Sequence, residues 1–476
     1  MGSNSIVVKL KDISVKITKG TTPSKSDGGF SESGVNYIKA ESVSYDGRID
    51  ESTFSFIDDS VHKKMKRSQL EENDILFSMA GAYLGKTGFV NKKHLPANTN
   101  QALALIRVNS ELAHPKFVHY YLQQKRIIHY VNNSISQSAQ PNINLQQIGD
   151  LDIILPPKND QAKVVSYMSK LDTKITLSRQ ISQTLEQMAQ VLFKSWFIDF
   201  DPVIDNALDS GFFEQNLEFS DELLSRAEAR KAVRESADFK SLPEDIRQLF
   251  PAAFEECSEP SLGLGGWVPE GWESLPVGSL IDLIGGGTPK TSEHSYWGGD
   301  IPWFSVVDAP NDSDVFVLST EKKITDLGVK NSSTKVLRIG TTIISARGTV
   351  GKCALVATPM AMNQSCYGVI GTNGIHDYFI YYLIRQSVSQ LQQRSHGSVF
   401  STITRDTFNS FKFAFSGELI ANTFGETISP WFEKIRANNQ QRYMLQSLRD
   451  ILLPKLISGE LHLSDSEVDT AEEVLA

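Results

Sequence analysis

Apolar runs of strand length, separated by turn residues, occur in two separate stretches of the chain. In the first stretch they include residues 75–77 and 102–106, and in the second residues 342–344 and 366–370, each bounded by Asn, Gly or Pro. A short helix follows in each stretch, because apolar side chains recur at i, i+3 and i+4: Phe117, Tyr120 and Tyr121, then Phe379, Tyr382 and Leu383. The pattern predicts two mixed α/β modules.

Each module is followed by a segment with the pattern of a long amphipathic helix, at residues 160–197 and 418–457. At about 35 residues, each helix would be on the order of 50 Å long. The apolar stripes are narrow and coiled-coil-like. If the two modules are pseudo-symmetric, the two helices most simply pack antiparallel against each other. The stripe residues are Leu171, Ile175, Ile181, Leu185, Met188 and Leu192, then Ile428, Ile435, Leu445, Leu448 and Leu452.

The two stretches repeat one another, since residues 10–197 and 275–461 carry the same landmarks in the same order. The landmarks include Gly-Thr-Thr-Pro at 20–23 and Gly-Gly-Thr-Pro at 286–289, Gly-Lys at 85–86 and 351–352, and Asn-Gln at 100–101 and 363–364. So long a period excludes a solenoid and indicates a duplicated module-plus-helix unit. A pseudo-two-fold repeat of this kind suits a target that is itself roughly two-fold symmetric, such as duplex DNA.

Charge is distributed unevenly along the chain. The net charge is −9, but residues 1–155 carry +3 and residues 271–416 carry +1, whereas 203–270 carry −9 and 417–476 carry −5. Near-neutral modules can bind DNA if their basic residues cluster on one face, although the phosphate contribution is then modest. We therefore expect a partner to supply part of the DNA affinity.

These patterns predict an α+β chain divided into six parts. The parts are a first module, a central long helix, an acidic connector, a second module, a C-terminal long helix and an acidic tail, at residues 1–157, 158–202, 203–270, 271–416, 417–463 and 464–476. Within the connector, residues 218–235 have the pattern of a helix. Its Gly- and Pro-rich end at 263–272 is typical of a loop that enters a new domain.

The chain has three cysteines, Cys257, Cys353 and Cys366, and none lies in a C-x-x-C pattern. Together with the absence of a signal pattern and of an apolar run near 20 residues, this favours a soluble protein of the reducing cytoplasm. His114 and His119 have no cysteine nearby, so no metal site is expected.

Lysines accompany the glycine-threonine-proline loops, with Lys19 and Lys25 beside the first and Lys290 beside the second. Backbone amides and lysines commonly contact DNA phosphates, so these loops are candidates for contact with the DNA backbone. The alternative is a simple turn, because Gly and Pro form turns by themselves.

A strand–turn–strand is predicted at residues 78–86 and 345–352, with Lys86, Arg347 and Lys352 near its tip. Arg can pair bidentately with guanine, whereas Lys more often meets phosphate. The alternative is a hairpin with solvated basic side chains. The glycine spacing does not meet the requirement of a phosphate-binding P-loop.

Discrimination between DNA sequences is expected where the two copies differ. The candidate loops are 41–56 and 308–323, and 130–142 and 391–402, the last of which contains Arg394 and His396. The Asn-Gln pairs are shared by both copies and are poorly suited to telling two half-sites apart. We expect them to cap a turn.

The ordered set of motifs resembles the specificity subunit of type I restriction–modification enzymes over essentially the whole chain. Beyond the repeat, the resemblance rests on Leu-Phe-Lys-Ser-Trp-Phe-Ile-Asp-Phe-Asp-Pro at 192–202, Trp-Val-Pro-Glu-Gly-Trp at 267–272 and Leu-Leu-Pro-Lys-Leu-Ile-Ser-Gly-Glu-Leu at 452–461. It implies that the modules are two target recognition domains, each recognising half of a bipartite double-stranded DNA site. It also implies helices that act as a spacer and dock two methyltransferase subunits. Two translocase/nuclease subunits join for cleavage, and S-adenosylmethionine binds the methyltransferase subunit and not this chain.

Apolar residues of the long helices are the candidates for docking a methyltransferase. They are Leu185, Met188, Leu192, Trp196, Leu445, Leu448 and Leu452. For the aromatic residues that close the first helix, Trp196, Phe197 and Phe200, core packing is the alternative to docking.

The sequence offers no catalytic constellation. A self-sufficient methyltransferase would need a glycine-rich cofactor loop and, for amino-group methylation, an Asn/Asp-Pro-Pro-Tyr/Phe motif, and neither is present. A repeated carboxylate–lysine cluster that would mark a nuclease metal site is also missing. We predict a non-catalytic DNA-specificity subunit. The alternatives are a stand-alone DNA methyltransferase or nuclease, and a coiled-coil assembly protein without a DNA role.

Overall fold

A computed structural model of the chain describes residues 5–24, 26, 28–81, 84–134, 142–310, 314–394 and 402–462, without the side chains of residues 134 and 391–394. The chain forms two compact units. Unit 1 comprises Met1–Thr176 and Tyr443–Ala476, and unit 2 comprises Leu177–Arg442. Among the described residues, no helix combines the length and the apolar character needed to cross a membrane.

The globular part of unit 1, called module 1 below, is built from short strands and helices. Its larger sheet has the antiparallel order β2-β8-β5-β6, and its smaller sheet has the order β4-β3-β7 with β3 parallel to β7. The first strand, β1, pairs antiparallel with the last, β9. The elements are β1 (Ile6–Lys9), β2 (Ser14–Lys19), β3 (Val35–Ile38), β4 (Ser55–Ile57), α1 (Asp59–Lys64), β5 (Ile75–Ser78), β6 (Thr87–Phe89), β7 (Ala97–Thr99), β8 (Leu103–Val108), α2 (Pro115–Leu122), α3 (Lys125–Ser134), α4 (Leu145–Gly149), β9 (Asp152–Leu155) and the long helix α5 (Lys158–Phe197).

The larger sheet of module 1 separates two hydrophobic clusters, which explains why its central strands are apolar without alternation. Ile75 and Phe77 of β5 face the main core, where helix α2 and the long helices pack. Leu76, which lies between them, faces a second cluster on the other side of the sheet. A strand that is buried on both faces requires a continuous apolar run, as seen in the sequence.

Unit 2 contains an equivalent globular part, called module 2. Its sheets have the orders β13-β20-β17-β18-β15, β16-β14-β19 and β12-β21. The remaining elements are α6 (Asp201–Ser210), α7 (Asp221–Arg234), α8 (Glu244–Arg247), β10 (Phe254–Glu256), β11 (Trp267–Pro269), β12 (Glu273–Pro276), β13 (Ile281–Gly285), β14 (Trp297–Phe304), β15 (Phe316–Val317), β16 (Lys322–Ile324), α9 (Asp326–Lys330), β17 (Thr342–Ser345), β18 (Cys353–Val356), β19 (Ala361–Met362), β20 (Cys366–Gly371), α10 (Asp377–Arg394), α11 (Arg405–Asn409), β21 (Lys412–Phe415) and the long helix α12 (Glu418–Ser458).

The two modules share one strand topology. The order β2-β8-β5-β6 of module 1 recurs as β13-β20-β17-β18, the order β4-β3-β7 recurs as β16-β14-β19, and the closing pair β1-β9 recurs as β12-β21. In both small sheets the central strand has one antiparallel and one parallel neighbour. The predicted repeat of a mixed α/β module is therefore confirmed.

The acidic segment between the long helix α5 and module 2 is folded into the core of unit 2. Helices α6 and α7 lie side by side. Carboxylates spaced one turn apart along α6 face guanidinium groups spaced one turn apart along α7. Two of these contacts are Asp201–Arg226 at 2.5 Å and Asp205–Arg230 at 2.6 Å. Phe250 is also buried in this core. The acidic residues of α6 are thus paired with arginines of the same segment.

The long helices, α5 with 40 residues and α12 with 41, are each about 60 Å long. They pair antiparallel in unit 2. The side-chain amide of Asn438 donates to the Ser178 carbonyl oxygen at 3.3 Å and to the Ser182 hydroxyl at 3.2 Å, and the Ser178 hydroxyl donates to the Gln441 side chain at 3.3 Å. The predicted antiparallel pair of helices is confirmed.

The buried stripe of α5 coincides only in part with the predicted apolar stripe. Ile181 and Met188, which the sequence pattern includes, are 36% and 46% exposed. The buried positions in this part of the helix are instead occupied by Ser178, Ser182 and Glu186. The prediction failed at this point because polar residues occupy core positions. Ser178 and Ser182 are satisfied by hydrogen bonds within the helix pair, and Glu186 is satisfied by Arg385 of α10.

Candidate nucleic-acid interface

Each glycine-threonine-proline loop packs against the Asn-Gln turn that recurs with it. A β-carbon on Gly20 would overlap the carbonyl oxygen of Asn100, and one on Gly286 would overlap that of Asn363. Only glycine permits so close an approach of two backbones. The repeated glycines and the repeated Asn-Gln pairs are the two sides of one contact, which is why both recur at the same places in each copy.

An aromatic side chain from the small sheet holds each of these loops. The Tyr37 hydroxyl donates to the Thr21 carbonyl oxygen at 2.8 Å, and the indole N–H of Trp303 donates to the Gly287 carbonyl oxygen at 3.0 Å. Both aromatic rings are buried. The loops are therefore fixed turns with rigid backbones, and their exposed groups are presented in a defined position.

The predicted strand–turn–strand is present in both modules as β5–β6 and β17–β18. The Ser78 amide donates to the Lys86 carbonyl oxygen at 2.8 Å, and the Ser345 amide donates to that of Lys352 at 2.9 Å. Glycines with φ of 68° to 90° make the turns: Gly81, Gly85, Gly348 and Gly351. These backbone angles favour glycine and explain the repeated glycine spacing.

The segments 130–142 and 391–402 differ between the two copies and, with the loops 41–56 and 308–323, are called variable below. Both segments end beside these hairpins. Asn142 pairs through its backbone with Ala80, and Thr402 pairs in the same way with Arg347. Residues 135–141 and 395–401 lie outside the described part of the chain. The pairing nevertheless fixes where both segments end, next to the hairpin that carries the predicted DNA-contacting side chains.

The variable loop 41–56 reaches the same place in module 1. The Thr87 amide donates to the Ser44 carbonyl oxygen at 3.2 Å, and the Tyr45 hydroxyl donates to the Leu84 carbonyl oxygen at 3.3 Å. The ammonium group of Lys86 lies 5.1 Å from the centre of the Tyr45 ring, a cation–π distance. Burial lowers the pKa of Lys86.

In module 2 the equivalent loops border a cleft of about 410 Å³. Its floor is polar, because Arg385 forms an ion pair with Glu186 and Asp314 accepts a 2.8 Å hydrogen bond from Arg442. The hairpin 345–352, the loop 308–323 and helix α10 all contribute to it. The cleft is lined by Pro310, Asp314, Thr349, Val350, Gly351, Lys352, Cys353, Tyr381, Arg385, Val388 and Ser389.

The predicted DNA-contacting residues occupy different surroundings. Lys19, Lys290 and Arg347 are exposed, and Lys290 lies 3.9 Å from Glu293. Lys86 and Lys352 are half-buried beside the loops described above. Lys25, His396 and the side chain of Arg394 lie outside the described part of the chain. None of these contacts with DNA is tested by the structure, so they stay predictions.

Three further basic residues of module 1 were not singled out from the sequence. Lys16 lies on β2, and Lys66 and Arg67 follow helix α1. The available signal was the run of basic residues at 62–67, which is also the ordinary composition of a solvated helix end. Only the fold brings this run against β2 and the first glycine loop, so the sequence alone did not identify it.

The predicted docking residues divide between core and surface. Trp196 is only 1% exposed and packs at right angles on Phe250, so its place is the core of unit 2. Leu185 and Leu192 also pack against this core, and Leu445 and Leu452 pack against the core of unit 1. Met188 and Leu448 are 46% and 40% exposed.

Three apolar side chains that the sequence analysis did not name as docking candidates extend the surface around Met188; one of them, Ile181, had been assigned to the packed stripe. Leu177, Ile181 and Val191 are 48%, 36% and 67% exposed. Together with Met188 they recur at spacings of four, seven and three residues, which places them on one side of α5. We call these four residues the exposed helix face. In the part of unit 1 that α12 contributes, Tyr443, Met444, Leu448 and Ile451 are also exposed.

Within the described residues, no three His, Cys, Asp or Glu side chains are grouped so that they could hold a metal ion. Burial raises the pKa of Cys353 and of Cys366 to about 12, so both thiols stay protonated.

Residues 3–187 and 269–415 match the family described as the type I restriction modification DNA specificity domain. The HindI specificity subunit of Haemophilus influenzae is 28% identical over 410 residues, which cover 83% of this chain and 88% of that protein. The putative MjaX specificity subunit of Methanocaldococcus jannaschii is 21% identical over 468 residues, covering 96% and 93% of the two chains.

The fold is similar to that of the crystallised S subunit of a type I restriction-modification system from M. genitalium. The TM-score is 0.51 at 13% identity, with 96% of this chain and 97% of that chain covered. The family match includes both modules and extends over more than half of the sequence. The chain belongs to the family of type I restriction modification DNA specificity proteins.

Proposed function

We propose that this chain is the DNA-specificity subunit of a type I restriction–modification complex and that it has no catalytic activity of its own. Module 1 and module 2 each recognise one half of a bipartite double-stranded DNA site. The methyltransferase subunits, which bind S-adenosylmethionine, carry out the transfer of the methyl group.

The observation that carries this proposal is the convergence of the same three segments in both modules. A variable loop, a glycine-bearing hairpin and a second variable segment meet at one place in each. The frame that holds them is repeated, down to the glycine contact of Gly20 and Gly286 with the opposing turn. A constant frame with divergent loops is the arrangement expected when two similar domains must recognise two different half-sites.

Arginine and lysine in these segments would divide the work of recognition. Arg347, at the exposed tip of the second hairpin, is suited to pair with guanine in the major groove. Exposed lysines such as Lys19 and Lys290 are suited to phosphate, which positions the module without specifying sequence. Half-sites about one helical turn apart, centre to centre, would suit two modules on one face of the duplex.

The exposed helix face of α5 is the proposed docking surface for a methyltransferase subunit. Four apolar side chains aligned on one helix side are unusual on a surface that contacts only water. The exposed apolar residues of α12, such as Met444 and Ile451, provide a second surface of the same kind. Two such surfaces support two methyltransferase subunits, and restriction subunits would join the same complex.

The test is to reconstitute the full chain with its methyltransferase subunit and to map the methylated bases in genomic DNA. We expect methylation at a site made of two short defined sequences separated by an undefined gap. Methyl transfer or cleavage by the chain alone would reveal an enzyme. Methylation with no site preference would leave an assembly protein without a role in recognition.

A further inference from the structure

Four basic residues of module 1 are linked to the first glycine loop, Lys66 only through its chain neighbour Arg67. Lys16 and Lys19 come from β2, and Lys66 and Arg67 come from the turn that follows α1. We call these four residues the basic ridge. Lys19, Lys66 and Arg67 are exposed, and Lys16 is half-buried.

Hydrogen bonds hold the two parts of the basic ridge together. The Arg67 guanidinium donates to the Thr21 hydroxyl at 3.2 Å and, more weakly, to the Gly20 carbonyl oxygen at 3.5 Å. The Lys16 ammonium group donates to the Arg67 carbonyl oxygen at 3.0 Å. Lys19 directly precedes Gly20 in the chain. The basic ridge is thus attached to a loop whose backbone is already fixed by Tyr37.

The positive charge of the basic ridge is not neutralised by nearby carboxylates. In the described part of the chain, none of the four residues forms an ion pair. The acidic groups next to Lys16 across the sheet, Asp74 and Glu71, are both engaged by Arg107. Four positive charges therefore remain available to an external anion.

Module 2 lacks the basic ridge at the equivalent positions. Strand β2 of module 1 and strand β13 of module 2 each end directly before their glycine loop. Lys16 and Lys19 therefore correspond to Asp282 and Gly285. Helix α1 begins at Asp59 and helix α9 begins at Asp326. Each start lies eleven positions before an equivalent leucine, Leu70 in module 1 and Leu337 in module 2. By the same spacing, Lys66 and Arg67 correspond to Ser333 and Thr334.

The equivalence of these positions is supported by hydrogen bonds. The Leu70 amide donates to the Ala97 carbonyl oxygen at 2.9 Å, and the Leu337 amide donates to that of Met360 at 2.8 Å. The four positions carry a charge of +4 in module 1 and −1 in module 2. At these four positions, the two modules thus differ by five charges.

We propose that the basic ridge binds the phosphate backbone of duplex DNA independently of sequence and makes module 1 the electrostatic anchor of the protein. This inference rests on the proposed DNA-specificity function. Each neutralised phosphate releases condensed counterions, so the ridge supplies affinity that falls as salt rises. Contacts to phosphate carry no sequence information, so discrimination is left to the variable loops of both modules.

The test uses the full chain in complex with its methyltransferase subunit, on one duplex that contains the mapped site and one that lacks it. The variant is Lys19→Gln/Lys66→Gln, because neither side chain makes a hydrogen bond within the described structure and the fold should be unaffected. The control is Lys231→Gln/Lys240→Gln, which removes two exposed charges from the segment between α5 and module 2. Association constants are measured over a range of salt concentrations.

We expect the slope of log K against log salt to become shallower by about 1.8 for the ridge variant, from about 0.9 for each lost phosphate contact. The ratio of affinities for the two duplexes should be unchanged. A slope equal to that of the wild type, or a similar change in the control, would refute the phosphate contact. A changed affinity ratio would instead make these lysines sequence readers. If the wild-type complex itself does not distinguish the two duplexes, the proposed function fails, independently of the slope.

Discussion

Glu186 of the long helix α5 forms an ion pair with Arg385 of helix α10 in the core of unit 2. The side chain of Glu186 is only 7% exposed, and its backbone carbonyl oxygen accepts a 3.2 Å hydrogen bond from the Tyr382 hydroxyl. The pair joins the polar floor of the module 2 cleft to the helix that carries the exposed helix face. The proposed recognition surface and the proposed docking helix are therefore connected within one unit by a charge pair whose carboxylate is buried.

Loss of one partner of this pair should destabilise unit 2. Glu186→Leu leaves the Arg385 guanidinium without its carboxylate, at a cost of about 2–3 kcal/mol in the free energy of unfolding. Tryptophan fluorescence during denaturant unfolding is a suitable measurement, because all six tryptophans lie in unit 2. The double variant Glu186→Leu/Arg385→Leu should be less destabilised than the sum of the single variants. Additive losses would show that the two residues do not interact.

The close backbone contact at the second glycine loop gives a matched pair of substitutions. In Gly286→Ala the new β-carbon overlaps the carbonyl oxygen of Asn363, so we expect a loss of about 1–3 kcal/mol. In the adjacent Gly285→Ala nothing lies within 4 Å of the new β-carbon, so stability should change by less than about 1 kcal/mol. Equal effects in the same fluorescence experiment would contradict the proposed role of the glycine.

Charge placed on the exposed helix face should prevent docking. Met188→Glu/Val191→Glu introduces two carboxylates that a partner would have to desolvate, and we expect affinity for the methyltransferase subunit to fall about 100-fold. Gln183→Glu/Gln190→Glu adds the same charge at positions about 80° or more around the helix axis from the four apolar residues, and it serves as the control. Calorimetric titration measures both. Undiminished binding by the first variant would place the docking surface elsewhere.

Stability of module 1 should depend on pH through His119. The ring is buried, and burial, with Lys116 and Arg449 nearby, keeps the pKa of His119 well below its usual value. Below about pH 6.5 the unfolded chain binds a proton at this residue that the folded chain does not. The free energy of unfolding therefore decreases as pH falls below this value.

Hydrogen exchange of the peptides that contain β8 and α2 reports on this dependence in unit 1. The variant His119→Gln should show a weaker acid dependence than the wild type. A residual dependence is expected from His94 and His114, because burial lowers their pKa as well. An unchanged acid dependence in the variant would assign it to other groups.

The length of the paired helices α5 and α12 should set the number of base pairs between the two recognised DNA half-sites. Seven residues inserted into α5 after Thr176 and seven into α12 after Arg442 preserve the heptad stripe and lengthen each helix by about 10 Å. We expect the gap between methylated half-sites to grow by about three base pairs. Seven residues inserted after the exposed Ser258, outside both helices, form the control. An unchanged gap in the first variant would exclude the spacer role.

The duplication and the strand topology were predictable because they depend on features that are local in sequence. Turn residues, apolar runs and helical periodicity each involve neighbours within a few positions. Because the unit is repeated, each of these patterns occurs in both modules. The glycine loop and the Asn-Gln pair were also identified locally. Their contact was not, because Gly20 and Asn100 are 80 positions apart and meet only through the pairing of β2 with β8.

The helix faces and the basic ridge could not be obtained in this way. The apolar character of Ile181 and Met188 predicted that both pack in the buried stripe. The buried positions of the helix are instead Ser178 and Ser182, because Asn438 on the partner helix satisfies their polar groups. The significance of Arg67 depends on its distance from Thr21, which no local pattern encodes. Polar residues in core positions and charges brought together by topology require coordinates.

The antiparallel pairing of β1 with β9, and of β12 with β21, has a consequence for how such proteins change. The chain enters and leaves each module through adjacent strands, so the two ends of a module are neighbours in space. Whatever lies between those ends can be exchanged as a cassette, provided the replacement closes on a similar strand pair. The replacement would also have to present a matching apolar surface to the long helices, because these helices complete the main core of module 1.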